Sequence, residues 1–325
     1  MISLYLIILV RSEPHNLGKD LTKFNMKDKD NSYSEAQRNL GNDNYIVLYF
    51  NQDCNYSSGF VNDYRKDIDY IINVKNSYKE YKKNDAFSVY KGFGIEIHFN
   101  KAISSLERFF HSYYDKNMKY LILVDFTNFN SKSLSNMLYM FYGCSSLKSI
   151  NFSNFKTSKV TKMSMLFDGC TSLESIDLSN FDTSQVTYMS AVFSGCSSLK
   201  SIDLSKFITS KAIHMNFLFY NCSSLESIDL SNFDTSQVTE VAGMFDGCRA
   251  LKSIDLSNFK TSKIVYMDDM FKRCSSLESI DLSSFDTSQV TNMEYMFYGC
   301  NSLKSIDLSK FNTSKVIYGI YVSWV

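Results

Sequence analysis

Seven cysteines recur at a fixed interval. Cys144, Cys170, Cys196, Cys222, Cys248, Cys274 and Cys300 stand 26 residues apart, and an eighth, Cys54, lies alone upstream. A thiol can form a disulfide, ligate a metal or act as a nucleophile. Disulfide frameworks use distinct positions, and seven equivalent ones give no pairing scheme. Zinc sites use paired ligands at short spacing, which this column lacks. A nucleophilic thiol needs a nearby base, yet His15, His98, His111 and His214 are scattered. The column therefore reads as small buried thiols in a packed interior. No catalytic residue, cofactor or metal ligand is expected, and the chain is read as a non-enzyme.

The second column with chemical potential is acidic. Asp177, Asp203, Asp229, Asp255, Asp281 and Asp307 each sit in S-I-D-L-S, between an Ile and a Leu. On a short strand these neighbours point inward and the Asp points out, beside Ser175 and Ser179 and their counterparts. Strands about 4.8 Å apart place adjacent carboxylates where they repel by about 0.9 kcal/mol in water. Such a face is wet, binds cations or meets a basic partner. Calcium needs six to eight oxygens, which this column supplies poorly. The Asp and Ser columns are the candidate partner-binding face. Asn55, Asn151 and Asn312 begin N-x-S/T sequons and are candidate glycosylation sites. Asn221 begins a fourth, less suitable because it precedes a core-type cysteine.

These columns need an element that repeats. One unit reads L-x-S-I-D-L-S-N-F-x-T-S-x-V-T-x-M-x-x-M-F-x-G-C-x-S. In the unit from Leu173, Ile176-Asp177-Leu178 alternates as a strand. Thr183 or Ser184 is a suitable helix N-cap. Val186, Met189, Val192, Phe193 and Cys196 fall at helical spacing, and Gly195 can end a helix in the left-handed conformation. Met137, Met163, Met189, Met215, Met267 and Met293 are read as core. A strand, a turn and a helix in 26 residues cannot bury their apolar side alone, whereas stacked copies can. The expected fold is α/β: a leucine-rich-repeat-like right-handed solenoid, with a parallel sheet on one face and short helices on the other, preceded by an α/β N-terminal cap.

Three columns change sign in alternate copies. Lys148, Glu174, Lys200, Glu226, Lys252, Glu278 and Lys304 form the first. Lys156, Asp182, Ile208, Asp234, Lys260, Asp286 and Asn312 form the second, and Lys159, Gln185, Lys211, Gln237, Lys263, Gln289 and Lys315 the third. The true unit is a pair of repeats. Stacking sets Glu between Lys neighbours, which favours the native register over a slip by one copy. Duplication of a two-repeat block explains the alternation equally well.

Outside the repeats, residues 1–44 are an apolar leader and a polar linker. Residues 2–10 are too short to span a bilayer as a helix; a secretory signal, a buried strand and a misplaced start all remain open. Residues 45–120 are the cap, with strands at "YIVLYF" and "GIEIHF". Val61, Tyr64, Ile68 and Ile71 mark one helix face, and Ile103, Leu106, Phe109 and Phe110 a second. Gly94 to Tyr120 follows the order of one repeat in blurred form. The repeats fill 121–316. Residues 317–325 break the pattern and read as a truncated, uncapped end through which the chain could self-associate. Lys plus Arg equals Asp plus Glu, 34 of each, so no global field draws nucleic acid. No membrane attachment is visible in the sequence.

The phrases "SIDLSNFDTS" and "MFxGCSSLKSI", recurring seven times, resemble the BspA-like leucine-rich repeat surface proteins, also described by their 26-residue repeat. That group overlaps a domain of unknown function in mycoplasma lipoproteins. The resemblance covers about residues 121–316, and the N-terminal part is similar to versions from anaerobic parasitic protists. It implies an extracellular or cell-surface protein, without enzymatic activity, that mediates adhesion to host cells or matrix proteins. The alternative is an intracellular or secreted scaffold that uses the array for protein assembly.

Overall fold

The structure is a computed structural model that describes residues 44–56, 68, 70–73, 79–82, 85–91, 94–99 and 101–319. The apolar leader, nearly all of the polar linker, Val61, Tyr64 and the chain after Gly319 lie outside the described residues. So does most of the segment expected to form the uncapped end.

The described residues form eight strands. β1 (Tyr45–Phe50), β2 (Cys54–Tyr56), β3 (Tyr70–Asn73), β4 (Lys79–Lys82), β5 (Phe87–Val89) and β6 (Gly94–His98) belong to the N-terminal part. β7 (Leu121–Asp125) and β8 (Ser149–Asn151) open the repeats. Six of them form one sheet in the order β4-β3-β6-β1-β7-β8, and β2 pairs with β5 separately. Antiparallel pairing runs through β1, and β7 turns to parallel pairing with β8, Val124 opposite Ile150. The sheet of the N-terminal part is thus continuous with the first repeat. Its alternating apolar residues, Ile46, Leu48, Phe50, Ile95 and Ile97, are buried and join the repeat core.

From Ser105 onward the chain forms layers, which repeat every 26 residues from Asn136. Parallel bridges link Ser105 to Asn136, then step through Lys162, Tyr188, His214, Glu240, Tyr266, Asn292 and Tyr318. Layer 0 starts at Ser105, and layers 1 to 7 start at the next seven of these residues. Layer 0 is built from "SLERFFHS", so the residues expected to face a second cap helix form the first layer of the stack. Ile103, Leu106, Phe109 and Phe110 are all buried there. Ile71, expected on the first cap helix, lies in β3.

The expected repeat helices do not form. No α-helix occurs among the described residues, and the only helical element is a 3-10 turn, Lys116–Tyr120. The reason lies in the backbone of the M-x-x-M-F-x-G-C segment. In layer 3, the N–H groups of Met189, Ala191, Phe193 and Gly195 donate to the carbonyls of His214, Asn216, Leu218 and Tyr220 in layer 4, at 2.6–3.2 Å. Other N–H groups, those of Ser194, Cys196 and Leu199, close turns onto the carbonyls three residues back. An α-helix would spend every N–H within the segment. Here many leave the layer and bind the next copy. Two left-handed residues per layer aim them: Ala191 and Gly195 in layer 3, φ 57° and 69°. Equivalent positions are left-handed in layers 1 to 7 even where the side chain is not glycine, as at Tyr139, Met165, Phe217, Asp269 and Tyr295. Gly195 is left-handed as expected, but it ends a run of turns.

The expected parallel sheet along S-I-D-L is also limited among the described residues. It forms between β7 and β8, and later copies carry no strand there. Glu226 N–H donates to Lys200 O and Glu278 N–H to Lys252 O, at 3.1 and 3.0 Å. Equivalent bonds from Lys200 to Glu174 or Lys252 to Glu226 are absent among the described residues. Layers are tied here in pairs, with the 52-residue period seen in the charges. Lysine side chains bridge the alternate junctions: Lys211, Lys263 and Lys315 donate to Gln185, Gln237 and Gln289 one layer back. Lys260 pairs with Asp234 at 3.3 Å and Lys304 with Glu278 at 3.9 Å. These pairs are exposed, so each contributes about 0–1 kcal/mol.

The interior is a set of side-chain columns. Phe110, Phe141, Phe167, Phe193, Phe219, Phe245, Phe271 and Phe297 stack with nearly parallel rings. Within the repeats, their centroids are 5.6–5.8 Å apart. The offset that this spacing implies suits ring quadrupoles.

Candidate functional site

The thiol column is internal. Each cysteine from Cys144 to Cys300 is buried, and its Sγ donates to the carbonyl of the phenylalanine 29 or 34 residues back. Burial pushes the thiols from Cys170 to Cys300 up, Cys300 and the upstream Cys54 to about 12, so the reactive thiolate is suppressed there.

The threonine expected to cap a helix has another role. Thr183 Oγ1 accepts the N–H of Ile208 at 2.7 Å and donates to the carbonyl of the same residue at 2.9 Å. Thr157, Thr209, Thr235, Thr261 and Thr287 repeat this reciprocal pair with the next layer. All six are buried. A buried hydroxyl with both donor and acceptor roles filled costs little to bury and stitches neighbouring layers at a fixed height.

The aspartate column is exposed, as expected, but its carboxylates are occupied. Asp177 Oδ1 accepts the N–H of Ser179 at 2.9 Å, and Asp203, Asp229, Asp255, Asp281 and Asp307 do the same with the serine two residues on. Ser hydroxyl and N–H bonds hold these carboxyls below the usual range. Asn151 takes the same position and makes the same turn through Oδ1. The column is a row of Asx turns. Ser179 thus serves the turn, while Ser175 is exposed beside it. Among the described residues no group of three or more His, Cys, Asp or Glu could hold a metal ion.

Three sequons can be placed more closely. Asn55 is exposed in β2 and Asn312 exposed in its turn. Asn151 uses Nδ2, the atom a glycan would take, to bond Thr127 Oγ1 at 2.9 Å.

A different surface carries the individuality of each layer. In the M-x-x-M-F-x-G-C segment the core positions hardly vary, while the positions between them do. One column reads Asn136, Lys162, Tyr188, His214, Glu240, Tyr266, Asn292. A second reads Leu138, Ser164, Ser190, Asn216, Ala242, Asp268, Glu294. A third reads Tyr139, Met165, Ala191, Phe217, Gly243, Asp269, Tyr295, and a fourth Tyr142, Asp168, Ser194, Tyr220, Asp246, Lys272, Tyr298. None follows the pair period. They were visible in the sequence, but a helical reading scatters them, whereas the layered backbone sets them on one face, the ladder face, along the row of parallel bridges.

That face is rich in aromatic rings and satisfied charge. Tyr113, Tyr114, Tyr188, Phe217, Tyr266, Tyr295 and Tyr298 are exposed. His111 stacks on Tyr142 at 4.4 Å, and Arg108 lies over Tyr139. Burial, with Arg108 nearby, lowers the His111 imidazole to about 4, so this stack is neutral at physiological pH. Tyr188 stacks on His214, which pairs with Glu240 at 3.2 Å. Arg273 forms a two-pronged pair with Asp246, 2.8 and 2.9 Å, across neighbouring layers. Lys272 pairs with Asp269 and lies over Tyr295.

Layers 2 to 6 enclose a cleft of about 400 Å3 on this face. Met165 and Asp168 line one end, Ala191 and Ser194 the buried floor, and Phe217 and Tyr220 the middle, with Asp246, Asp269, Lys272 and Arg273 beyond. Gly243, φ 57°, is required beside it, because an added Cβ would lie 2.4 Å from the Phe217 ring. Asp168 accepts from Ser194 Oγ at 2.9 Å and has no cationic partner among the described residues. Burial raises its carboxyl above the ordinary value.

A family described as Mycoplasma protein of unknown function, DUF285, matches residues 104–228 and 213–320. The first match begins at layer 0, in agreement with the bridge pattern. No curated protein and no solved structure matches the chain.

Proposed function

Because the chain belongs to the DUF285 family, whose description carries no activity, we propose a function from its surface. The protein is a non-enzymatic repeat array of the BspA-like, leucine-rich-repeat kind. It acts at the cell surface or outside the cell and binds host or matrix proteins. One observation carries this reading: in a chain that copies its core and its Asx turns almost without change, irregular variation is gathered on the ladder face. Packing and stacking demand sameness from layer to layer, and solubility is served equally well by a repeated polar residue. Irregular variation serves an irregular partner.

The chemistry of the face agrees. Tyrosine, phenylalanine and arginine, the residues enriched at protein interfaces and their hot spots, are concentrated there. The Asp column and the Ser179 column first singled out are uniform and engaged in turns, and the Ser175 column is uniform beside them, so they fit a scaffold better than a reader of sequence.

The test uses immobilised chain to capture proteins from host-cell membrane and matrix extracts, with intact-cell surface labelling in parallel. Capture that is lost on joint Tyr188→Ser and Tyr266→Ser substitution, and retained when Asp203, Asp229 and Asp255 become Asn, supports the reading. Capture that survives the tyrosine changes, or labelling confined to broken cells, contradicts it.

A further inference from the structure

We propose that the cleft on layers 2 to 6 receives one basic side chain, lysine or arginine, from the bound partner, with its charged end at Asp168. This rests on the protein-binding reading of the ladder face.

The charges of the cleft are unequal in kind. Lys272 and Arg273 already face Asp269 and Asp246. Arg273 is held in its charged form by Asp246 and by Tyr220. Neither cation is available to an anionic ligand without breaking a formed pair. Asp168 differs: among the described residues its carboxylate has only the Ser194 hydroxyl as partner. Its neighbours are Met165 and Ala191, and its charge is disfavoured by burial. A carboxylate desolvated in this way gains most from an incoming cation.

The shape suits a cation on an apolar stem. Ala191 and Ser194 are small and buried, between layers that carry Met165, Asp168, Phe217 and Tyr220 at the same positions. The missing bulk of layer 3 makes the floor. Phe217, 41% exposed, offers a ring against which the methylenes of Lys or Arg can pack, as long basic side chains do on apolar surfaces. A neutral apolar side chain would fill the space but cover Asp168 without compensation. An acidic one would meet it with like charge.

The probes are N-acetyl-lysine methylamide, its norleucine counterpart, which keeps the stem without the charge, and the glutamate counterpart. Binding is followed by NMR on methyl-labelled Met and Ala in the full chain at pH 7. The lysine probe is expected to shift the Met165 and Ala191 methyls saturably, at least 10-fold more tightly than the other two. Asp168→Asn, which keeps an acceptor for Ser194, is expected to abolish that preference. Ala191→Met, which copies the residue already left-handed at 165, is expected to block all three probes. Equal binding of norleucine and lysine, or an unchanged lysine preference in Asp168→Asn, overturns the proposal. A captured partner that tolerates Asp168→Asn but not the loss of Tyr188 and Tyr266 overturns the cleft assignment alone. One that tolerates both overturns the ladder-face reading with it.

Discussion

Thr235 offers the sharpest test of how the layers are joined. Its hydroxyl accepts the N–H of Lys260 at 2.8 Å and donates to the Lys260 carbonyl at 3.1 Å, and the side chain is fully buried. Thr235→Val keeps the shape and removes both bonds. It leaves the N–H and the carbonyl of Lys260, in layer 5, without these partners. Each such group costs about 1–3 kcal/mol when buried, so the loss is about 2–6 kcal/mol. Thr235→Ser keeps the hydroxyl and removes one methyl, for which about 1 kcal/mol is expected. Urea unfolding of the full chain gives the totals, and amide exchange at Lys260 gives the local effect, since that N–H loses its acceptor in the valine variant only. A valine variant as stable as the serine variant, with Lys260 still protected, would refute the account of Thr as an interlayer stitch.

Other outcomes follow from the same geometry. Nine aspartates, the six of the column together with Asp182, Asp234 and Asp286, whose Oδ1 also accepts the N–H of the serine two residues on, are held below their ordinary value by serine bonds. Their contribution is complete above the unfolded carboxyl value, about 3.9, and is lost as pH falls through the lower folded values. Thermal melts are expected to be flat from pH 7 to about 5 and to fall together below about 4, with the fall shallower in variants carrying Asn at these positions. Iodoacetamide at pH 8 is expected to leave all eight thiols unmodified in the folded chain and to modify all eight in denaturant; fast labelling of the folded form would contradict their burial. Gly247→Ala is expected to cost about 1–2 kcal/mol or more, because its φ is 78° and the new Cβ would lie 2.2 Å from Asn221 Oδ1. An unchanged melting temperature would show that this residue is not held left-handed.

Much of the frame was legible in the residues. The 26-residue step, the Phe, Met and Cys columns and the pairing of alternate copies could be read from spacing alone. Gly94–Tyr120 also showed its likeness to a repeat, and Ser105 to Ser112 does form layer 0. The backbone between Val186 and Cys196 was not legible. Buried residues at intervals of three or four fit an α-helix, and they equally fit a succession of three-residue turns. Only the destination of each N–H separates the two, and that depends on the neighbouring layer. The same ambiguity hid the role of Thr183, since a hydroxyl beside a turn suits a cap or a stitch. Asp177 drew attention because it repeats, yet repetition marked a turn. Residues such as Ala191, Phe217 and Tyr220 vary without pattern, and their common face appeared only once the layers were stacked.

The central claim is that partners are read by the ladder face and not by the Asx-turn face. Hydroxyl-radical footprinting of the captured complex tests it most directly, because it reports side-chain cover at both faces at once. The account predicts protection of Tyr188, Phe217, Tyr266 and Tyr298, with Ile208, exposed in the column where Asp182 and Asp234 make Asx turns, oxidised as in the free chain. Protection gathered on the Asx-turn face, with those aromatic residues still oxidised, would contradict it.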